Sequence, residues 1–322
     1  MEIIIQFAIL LISLSILSKA SHYVIQSSVR ISAITKLSQM VVGFVLLSVA
    51  TTVPEMSVSF SSMVLQNSAL PIGNILGSVI ANICLILGLV FFIKPVTITT
   101  KSFQYLSVML FISSLILLLL LSLSSVSFFI GILLICLFVV FCFYSLKMKI
   151  TIGKIELKNL SIVQKIFVSV EFYKQGIILA ISLFIVLLSS RFVVDSALNI
   201  ATMLRIRESV IGATVIAVGT SLPELFTALT AIKENHVKLA LGNVVGSCLT
   251  DLTLVLGTTL LICPFAINIA IFSALIIFVL TTNILAWFFF GRKILGRNEG
   301  IMLLLVYFVF LLSISGIQLS FL

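Results

Sequence analysis

The chain has 322 residues, of which 61% are hydrophobic and only 9% are charged, with a net charge of +9. A typical soluble domain is about half apolar and about a quarter charged, so these values exclude a water-soluble globular protein. Continuous apolar runs of about 20 residues predict membrane-spanning helices, and their lack of alternation excludes a β-barrel.

Ten such runs follow one another along the chain and define an all-α integral membrane protein. The first follows Glu2 without a basic segment before it, which favours a transmembrane helix over a signal peptide. The longest polar stretch predicts a cytoplasmic linker at 147–174 between five-helix units at 1–146 and 175–322. The predicted spans lie near residues 3–19, 40–65, 70–93, 103–121, 126–146, 175–195, 208–232, 238–262, 266–290 and 300–320.

The distribution of Lys and Arg predicts the orientation of these spans. With the N-terminus outside, 16 of the 19 basic residues fall in inner loops or the linker, and only Arg191, Arg205 and Arg207 fall outside. Cytoplasmic loops of membrane proteins carry such an excess of positive charge. The sequence therefore predicts a multi-pass protein of the plasma membrane with both termini outside. The same loop placement explains the net charge without a nucleic-acid partner.

The two halves carry one motif pattern at a constant spacing of 169 positions. Glu55 then corresponds to Glu224, and Pro54 to Pro223. In the same register Gly73-Asn74 aligns with Gly242-Asn243, and Gly77-Ser78 with Gly246-Ser247. Because each half has an odd number of predicted spans, the second copy enters the membrane from the opposite side. The sequence therefore predicts two inverted five-helix repeats, as in many secondary transporters.

Three carboxylates, those of Glu55, Glu224 and Asp251, fall inside apolar spans. A carboxylate in hydrocarbon is costly and marks a functional site by default. Within the predicted spans, Lys and Arg occur only near the span ends, at Lys19, Arg191 and Lys238, so none is available to neutralise them and a structural ion pair is disfavoured. A mobile cation is the compensating charge that we expect.

Polar residues at helical spacing accompany these carboxylates in both halves. Their hydroxyl, amide and carboxylate oxygens are the hard ligands that suit Na⁺, Ca²⁺ and Mg²⁺. Pro54 and Pro223 are expected to kink their helices and to free carbonyls near Ala50 and Gly219. The glycine pairs, four residues apart, predict close contact of the third and eighth spans with these kinked helices. The polar companions are Thr51, Thr52, Ser78, Asn82, Thr220, Ser221 and Ser247.

The segment 219–224, followed by Gly242-Asn243, Gly246-Ser247 and Asp251, resembles the α-repeat of the calcium/cation antiporter superfamily, in its prokaryotic sodium/calcium exchanger branch. The resemblance covers both repeats. It implies that Glu55 and Glu224 are the central Ca²⁺ ligands, aided by the carbonyls of Thr51 and Thr220. It places Asn82 beside the centre, implies sliding of the first and sixth helices, and assigns flanking Na⁺ sites to Ser48, Thr52, Ser78, Ala217, Ser221, Ser247 and Asp251.

The first repeat departs from the family pattern. It has Ala50, Thr52 and Val53 where the second repeat has Gly, Ser and Leu, and Ser48 replaces an expected small apolar residue. The family's proton-coupled branch carries a glutamate soon after Gly-Asn, whereas Gly77-Ser78 stands here, which favours Na⁺ as the driving ion.

The sequence therefore predicts a secondary active antiporter that exchanges Na⁺ for Ca²⁺ at one midplane site by alternating access. A proton-driven antiporter of Ca²⁺ or another divalent cation is the alternative. An intramembrane protease is disfavoured because the only histidines, His22 and His236, lie near span ends. No cofactor is expected, since Na⁺ and Ca²⁺ are substrates, and a monomer in the lipid bilayer is expected.

Overall fold

The computed structural model describes residues 2–64, 69–122, 128–147, 162–203, 217–262, 269–292 and 294–320. The described residues are almost entirely helical, as expected for a chain that must satisfy its backbone hydrogen bonds in lipid. Three helical segments of the described ranges are π-helices. In chain order the elements are α1 (Glu2–Thr35), α2 (Gln39–Val42), π1 (Gly43–Ser48), α3 (Val49–Thr51), α4 (Val53–Val64), α5 (Ala69–Ile80), π2 (Ala81–Ile86), α6 (Leu87–Ile93), β1 (Val96–Thr97), α7 (Thr100–Ser122), α8 (Phe128–Lys147), α9 (Ile162–Met203), α10 (Ala217–Thr220), α11 (Leu222–Lys233), α12 (Val237–Thr250), π3 (Asp251–Val255), α13 (Leu256–Ile262), α14 (Ile269–Phe290), β2 (Ile294–Leu295) and α15 (Arg297–Ser320).

Seven stretches of the described chain are long and apolar enough to cross a membrane, and a shorter apolar helix spans Leu275–Phe290. The chain is therefore a membrane protein with several spanning helices. Part of the predicted span at 208–232 and half of the predicted linker at 147–174 lie outside the described residues. The seven stretches are Ile3–Thr35, Gln39–Phe60, Pro71–Ile93, Thr100–Leu120, Phe128–Lys147, Ser169–Ile200 and Val237–Ile262.

Two helices are much longer than the sequence predicts. Helix α1 continues from the predicted end at residue 19 to Thr35, and α9 begins at Ile162, inside the predicted linker. The reason lies in their mutual packing, which is the most extensive pairing among the described helices. Small side chains such as Ser21 and Ser28 are fully buried on α1, so its polar second half is stabilised by protein contacts as well as by lipid.

Element bounds recur at the spacing of the sequence motifs. Helices α4 and α11 begin at Val53 and Leu222, which are 169 positions apart, and they end at the same spacing. Helices α6 and α13 also begin and end 169 positions apart. The two halves therefore share local backbone structure as well as motifs.

Glycines bring the helices of the two halves into close contact. A Cβ added to Gly300 would lie 2.7 Å from the Gly88 carbonyl oxygen, and one added to Gly131 would lie 2.9 Å from that of Gly257. Since Gly88 corresponds to Gly257 and Gly131 to Gly300, the two crossings are equivalent. Each joins a helix of one half to a helix of the other.

The predicted glycine contact of the eighth span is present. A Cβ on Gly242 would lie 2.2 Å from the Met40 carbonyl oxygen, and one on Gly246 would lie 2.8 Å from the Phe44 ring, so α12 lies directly against α2 and π1. In the third span, no described atom lies within 4 Å of a Cβ on Gly73 or Gly77. The residues that would face these glycines by repeat equivalence, 209 and 213, lie outside the described residues.

A short antiparallel pairing of β1 with β2 links the two halves outside the helices. Val96 pairs with Leu295 and Thr97 with Ile294. Val96 and Leu295 are fully buried. This pairing holds the beginning of α7 beside the end of α14, and these helices pack along each other.

Candidate functional site

Two helix breaks create the backbone of the candidate site. The first lies at Thr52, with φ −80° and ψ 6°, between α3 and α4. The second lies at Ser221, with φ −88° and ψ 10°, between α10 and α11. Thr52 and Ser221 occupy the same position of the two repeats. Both helices are therefore interrupted, where the sequence predicts a kink.

Each interruption follows from the proline two residues later. Pro54 and Pro223 are the second residues of α4 and α11. A proline there costs little, because the first N–H groups of a helix have no partner within it. Because proline has no N–H, it cannot donate to the carbonyl four residues earlier, which is that of Ala50 or Gly219.

The two central glutamates consequently lie in first helical turns. Glu55 is in the first turn of α4 and Glu224 in the first turn of α11. The N-terminal end of a helix carries a partial positive charge that favours carboxylates. Both side chains are almost completely buried.

Polar contacts at the site cross between the repeats. The Ser78 hydroxyl donates to Glu55 Oε1 at 3.5 Å. The hydroxyls of Thr220 and Ser221, from the second repeat, also lie beside the Glu55 carboxylate. Thr51, from the first repeat, lies beside Glu224. Each glutamate is thus near a helix break of the other repeat.

The three intramembrane carboxylates interact electrostatically. Glu224 is near enough to Glu55 and Asp251 for their negative charges to repel, and Asp251 also interacts with Glu55. Among the described residues, the ion pairs use other acidic groups, and none involves these three. Their mutual repulsion is therefore not offset by any described cationic side chain.

Buried oxygens without hydrogen-bond partners gather in the same residues. Within the described part of the chain, one Glu55 oxygen and both carboxylate oxygens of Glu224 and Asp251 are buried and unpartnered. Leaving such groups unpaired is expensive in an apolar interior, so their concentration indicates a ligand. Neutral oxygens with the same property, on the elements that carry these carboxylates or beside them, belong to Asn82, Thr220, Ser221, Asn243 and Ser247, and others lie on Ser28, Ser59, Ser107, Asn283 and Tyr307.

No three acidic, His or Cys side chains of the described chain converge tightly enough to hold a metal ion by themselves. Any bound cation would need hydroxyl, amide or backbone carbonyl oxygens in addition to carboxylates. Ca²⁺ takes six to eight oxygen ligands and accepts such mixed sets.

Some predicted site residues form hydrogen bonds with groups other than the three carboxylates. The Ser48 hydroxyl donates to the Phe44 carbonyl and lies 3.1 Å from Thr250 Oγ1, a contact with α12. The Thr52 hydroxyl donates to the Val49 carbonyl at 3.2 Å. Ala217 begins α10, and its side chain is outside what the structure describes.

Two features of the site are not visible in the sequence pattern. Asn82 lies within π2, and Asp251 is the first residue of π3. Single π-helical turns are frequent at functional sites, and here they interrupt the same helix of each repeat. Apolar periodicity does not reveal them, because these helices are buried on nearly every side. One extra residue in a turn therefore does not move a side chain from an apolar face to a polar one.

Another feature that the sequence pattern does not show is a pair of hydrogen bonds beside Glu224. The Asn243 side-chain amide donates to Thr227 Oγ1 at 3.1 Å, and the Thr227 hydroxyl donates to the Pro223 carbonyl at 2.7 Å. This contact ties α12 to the first turn of α11. The first repeat has Asn74 and Val58 at the equivalent positions, so it lacks the hydroxyl.

The chain matches a known protein family in two segments. Residues 5–147 and 174–316 match the family described as sodium/calcium exchanger protein. The two matched segments are offset by 169 positions, which is the spacing of the motifs.

Similar proteins match along nearly the whole chain. An uncharacterized membrane protein of Methanocaldococcus jannaschii is 31% identical over 94% of this chain and 96% of its own. The sodium/calcium exchanger MaX1 of Methanosarcina acetivorans is 26% identical over 96% of this chain and 98% of its own.

The fold is that of a solved exchanger. A structure of the sodium-calcium exchanger NCX_Mj soaked with Na⁺ and Ca²⁺ superposes with a TM-score of 0.80 at 27% identity, covering 95% of this chain and 97% of that one. With two matched segments that together cover most of its length, this chain belongs to the sodium/calcium exchanger family.

Proposed function

We propose that the chain exchanges Na⁺ for Ca²⁺ across the membrane, with both ions competing for one site at the junction of the repeats. The observation that carries this proposal is the group of buried, unpartnered oxygens on Glu55, Glu224 and Asp251. The relatives named as sodium/calcium exchangers support the choice of ions. The family consists of transporters, so no enzymatic activity is assigned.

The proposed ion ligands are the predicted set. Glu55 and Glu224 hold Ca²⁺ with backbone carbonyls of Thr51 and Thr220, and Asn82 lies beside this centre. Asp251 and the hydroxyls near it serve Na⁺. The remaining proposed Na⁺ ligands are Ser48, Thr52, Ser78, Ala217, Ser221 and Ser247. For Ser48 and Thr52, whose hydroxyls donate to backbone carbonyls, the lone pairs stay available to a cation.

Competition at this site couples the two fluxes. The carboxylates carry up to three negative charges in an apolar interior, and one Ca²⁺ or several Na⁺ can neutralise them. An empty site leaves these charges unpaired, so the unloaded protein should resist the change between outward and inward access. That resistance prevents uncoupled leak.

We further propose ten transmembrane helices in two inverted repeats, at 1–146 and 175–322, with a cytoplasmic linker at 147–174. The recurrence of element bounds at 169 positions supports this arrangement. The distribution of Lys and Arg supports external termini and a place in the plasma membrane. The protein is proposed to act as a monomer in the lipid bilayer.

Ion flux in proteoliposomes tests the function. Purified protein is reconstituted, and ⁴⁵Ca²⁺ uptake is measured with Na⁺, K⁺ and H⁺ gradients imposed one at a time. We expect uptake only when internal Na⁺ exceeds external Na⁺. Uptake driven by a pH gradient without Na⁺ would instead establish the proton-driven antiporter.

A further inference from the structure

The turn between α11 and α12, at residues 234–236, is held by three side chains of the first repeat. The turn lies on the side of the membrane that the distribution of Lys and Arg predicts to be cytoplasmic. One turn of the second repeat thus contacts three elements of the first. The contacts join His22 Nδ1 on α1 to Glu234 Oε1, Lys94 Nζ after α6 to Asn235 Oδ1, and Gln39 Nε2 on α2 to His236 Nδ1, the last at 3.3 Å.

This turn is a rigid continuation of α11. Asn235 has a φ of 67°, the left-handed conformation that commonly ends a helix. The His236 N–H donates to the Ala231 carbonyl at 2.7 Å, and the Asn235 N–H donates to the Ile232 carbonyl at 3.1 Å. Glu224 lies in the first turn of the same twelve-residue helix. A displacement of the turn is therefore transmitted along α11 to an intramembrane carboxylate.

His22 supplies the contact between α1 and this turn. The Gln26 amide nitrogen lies 2.9 Å from His22 Nε2. Because an amide nitrogen only donates, Nε2 is the acceptor and Nδ1 carries the proton that Glu234 accepts. The contact therefore forms with a neutral imidazole. The side chains of His22 and Glu234 are 46% and 22% exposed, so water reaches the contact.

Helix α1 and its partner α9 form a layer at the edge of the described helices. Within this layer α1 packs mainly on α9, and the pair contacts the rest of the described chain chiefly through α11, with smaller contacts to α2, α3 and α10. The His22–Glu234 contact lies at the predicted cytoplasmic end of this interface. It therefore ties the layer to the helix that carries Glu224.

The ion site is closed toward the turn in this structure. A Cβ added to Gly43 would lie 2.4 Å from the Leu239 carbonyl oxygen, so π1 and α12 touch between the turn and the site. The side chains of Glu55 and Glu224 are almost completely buried. The His22–Glu234 contact is thus present in a conformation without cytoplasmic access.

We propose that His22 is a positioning residue for ion exchange, which holds Glu234 so that α11 stays against α1 and the site stays closed to the cytoplasm. Opening toward that side requires the contact to break. This inference rests on the proposed function for the role of the site, although the closure itself can be measured without ions.

Cysteine labelling measures the closure directly. Ser247→Cys places a thiol at a buried, unpartnered position of the site, in full-length protein whose native cysteines are replaced by Ala. Inside-out and right-side-out membrane vesicles are treated with a membrane-impermeant maleimide in ion-free buffer. His22→Ala should accelerate labelling about fivefold in inside-out vesicles, as expected for the loss of one partly exposed hydrogen-bonded contact. It should not accelerate labelling in right-side-out vesicles.

Further variants separate this contact from a general loss of packing. Glu234→Ala should give the same acceleration as His22→Ala, and the double variant should give no more, because one contact is lost in each case. Glu234→Gln keeps an acceptor oxygen and should label at nearly the rate of the reporter chain. Asp195→Ala removes an exposed ion pair within α9 and is the matched control, which should have no effect.

A reversible cross-link tests the converse and does not depend on how the alanine variants fold. In a chain without native cysteines, His22→Cys and Glu234→Cys are joined by a reducible bifunctional thiol reagent. The cross-link should stop Na⁺-driven ⁴⁵Ca²⁺ flux in proteoliposomes until it is reduced. A chain with His22→Cys alone, treated in the same way, should keep its flux.

Unchanged labelling in folded His22→Ala and Glu234→Ala variants would overturn the proposal. Acceleration of equal size from both faces of the membrane would also overturn it, because it would indicate general loosening. Continued flux in the cross-linked chain would do the same. If the unaltered chain exchanges no ions while labelling changes as expected, the proposed function fails and the positioning role of His22 in closure stands.

Discussion

The thiol of Cys248 lies 3.9 Å from the backbone carbonyl oxygen of Val79, and these residues occupy the same position of the two repeats. Asn283 and Ser114 form a second contact between equivalent positions, at 3.2 Å. In the proposed inverted-repeat arrangement, residues that contact their own equivalents lie near the two-fold axis that relates the repeats. The α5–α12 and α7–α14 contacts would then lie close to this axis.

This proximity predicts a disulfide between the halves. In a chain with Val79→Cys and with the other native cysteines replaced by Ala, membrane-soluble iodine should link residue 79 to Cys248. A protease site placed in the predicted linker at 147–174 then separates the halves, and the linked pair migrates as one band until it is reduced. The same chain with Cys248→Ala should give two bands. Two bands from the double-cysteine chain would contradict the contact.

Gly242→Ala should destabilise the protein. The new Cβ at 242 would lie 2.2 Å from the Met40 carbonyl oxygen, so α12 must move away from α2. Such overpacking costs about 1 to 3 kcal/mol. Thermal unfolding in detergent measures this loss, and a melting temperature equal to that of the unaltered chain would contradict the close contact.

The sequence predicts the buried carboxylates because their cost in hydrocarbon is local and independent of the fold. The 169-residue spacing likewise aligns Thr52 of the first repeat with Ser221 of the second, and the structure has a helix break at both positions. That the oxygens of Glu55, Glu224, Asp251 and their polar neighbours together hold ions remains a prediction. These inferences need only residue types and intervals.

Other features depend on tertiary contacts that the spacing of residues in the sequence does not indicate. The polar half of α1 is helical to Thr35 because it packs on α9, which hydropathy alone does not indicate. The π-helical turns at Asn82 and Asp251 shift side chains within helices that are buried on nearly every side, so no change of apolar face reveals them. Nor does the sequence show that the Ser48 hydroxyl faces Thr250.

Thr227→Val should weaken the site without removing a carboxylate. The hydroxyl connects Asn243 to the Pro223 carbonyl, and valine has the same shape without it. The Asn243 amide then loses its partner, which costs about 1 to 3 kcal/mol. We expect lower thermal stability and a higher Ca²⁺ concentration for half-maximal flux.

The reverse change at the equivalent position of the first repeat should have the opposite effect on stability. Val58→Thr offers a hydroxyl to Asn74, whose Nδ2 is buried without a described partner. This variant should be as stable as the unaltered chain or more so. A Thr227→Val variant with unchanged stability and flux would show that the hydroxyl does not position Glu224.

Glu299 should give the protein a pH-dependent contribution to stability. The Gly296 N–H donates to Glu299 Oε2 at 2.9 Å and Arg292 donates to Oε1 at 2.7 Å, ahead of the predicted span at 300–320. The Gly296 hydrogen bond, with help from Arg292, lowers the pKa of Glu299.

A carboxyl with a lowered pKa stabilises the folded state fully above its unfolded pKa and loses that effect as pH falls through the folded value. Glu299→Gln should therefore lower the melting temperature at pH 7, and the difference should shrink below about pH 4. Asp195→Asn, at an exposed residue, should show a smaller difference. A difference in melting temperature between Glu299→Gln and the unaltered chain that does not change with pH would rule out an ionic origin of the stabilisation.

Ca²⁺ should stabilise the folded protein, and Glu55→Gln or Glu224→Gln should abolish this effect. An ion that binds only the folded state adds about 2.7 kcal/mol at a concentration 100 times its Kd. Glutamine retains the volume but removes the charge that the ion neutralises. Without ions the variants should be at least as stable as the unaltered chain, because the repulsion among the three carboxylates is reduced.

Thermal melts with and without Ca²⁺ measure both effects, and Asp195→Asn, which changes an exposed acid, is the matched control. Since misfolding would lower stability in both conditions, a variant with normal stability that no longer responds to Ca²⁺ identifies a ligand. A retained Ca²⁺ response in both glutamine variants would place the ion elsewhere in the molecule.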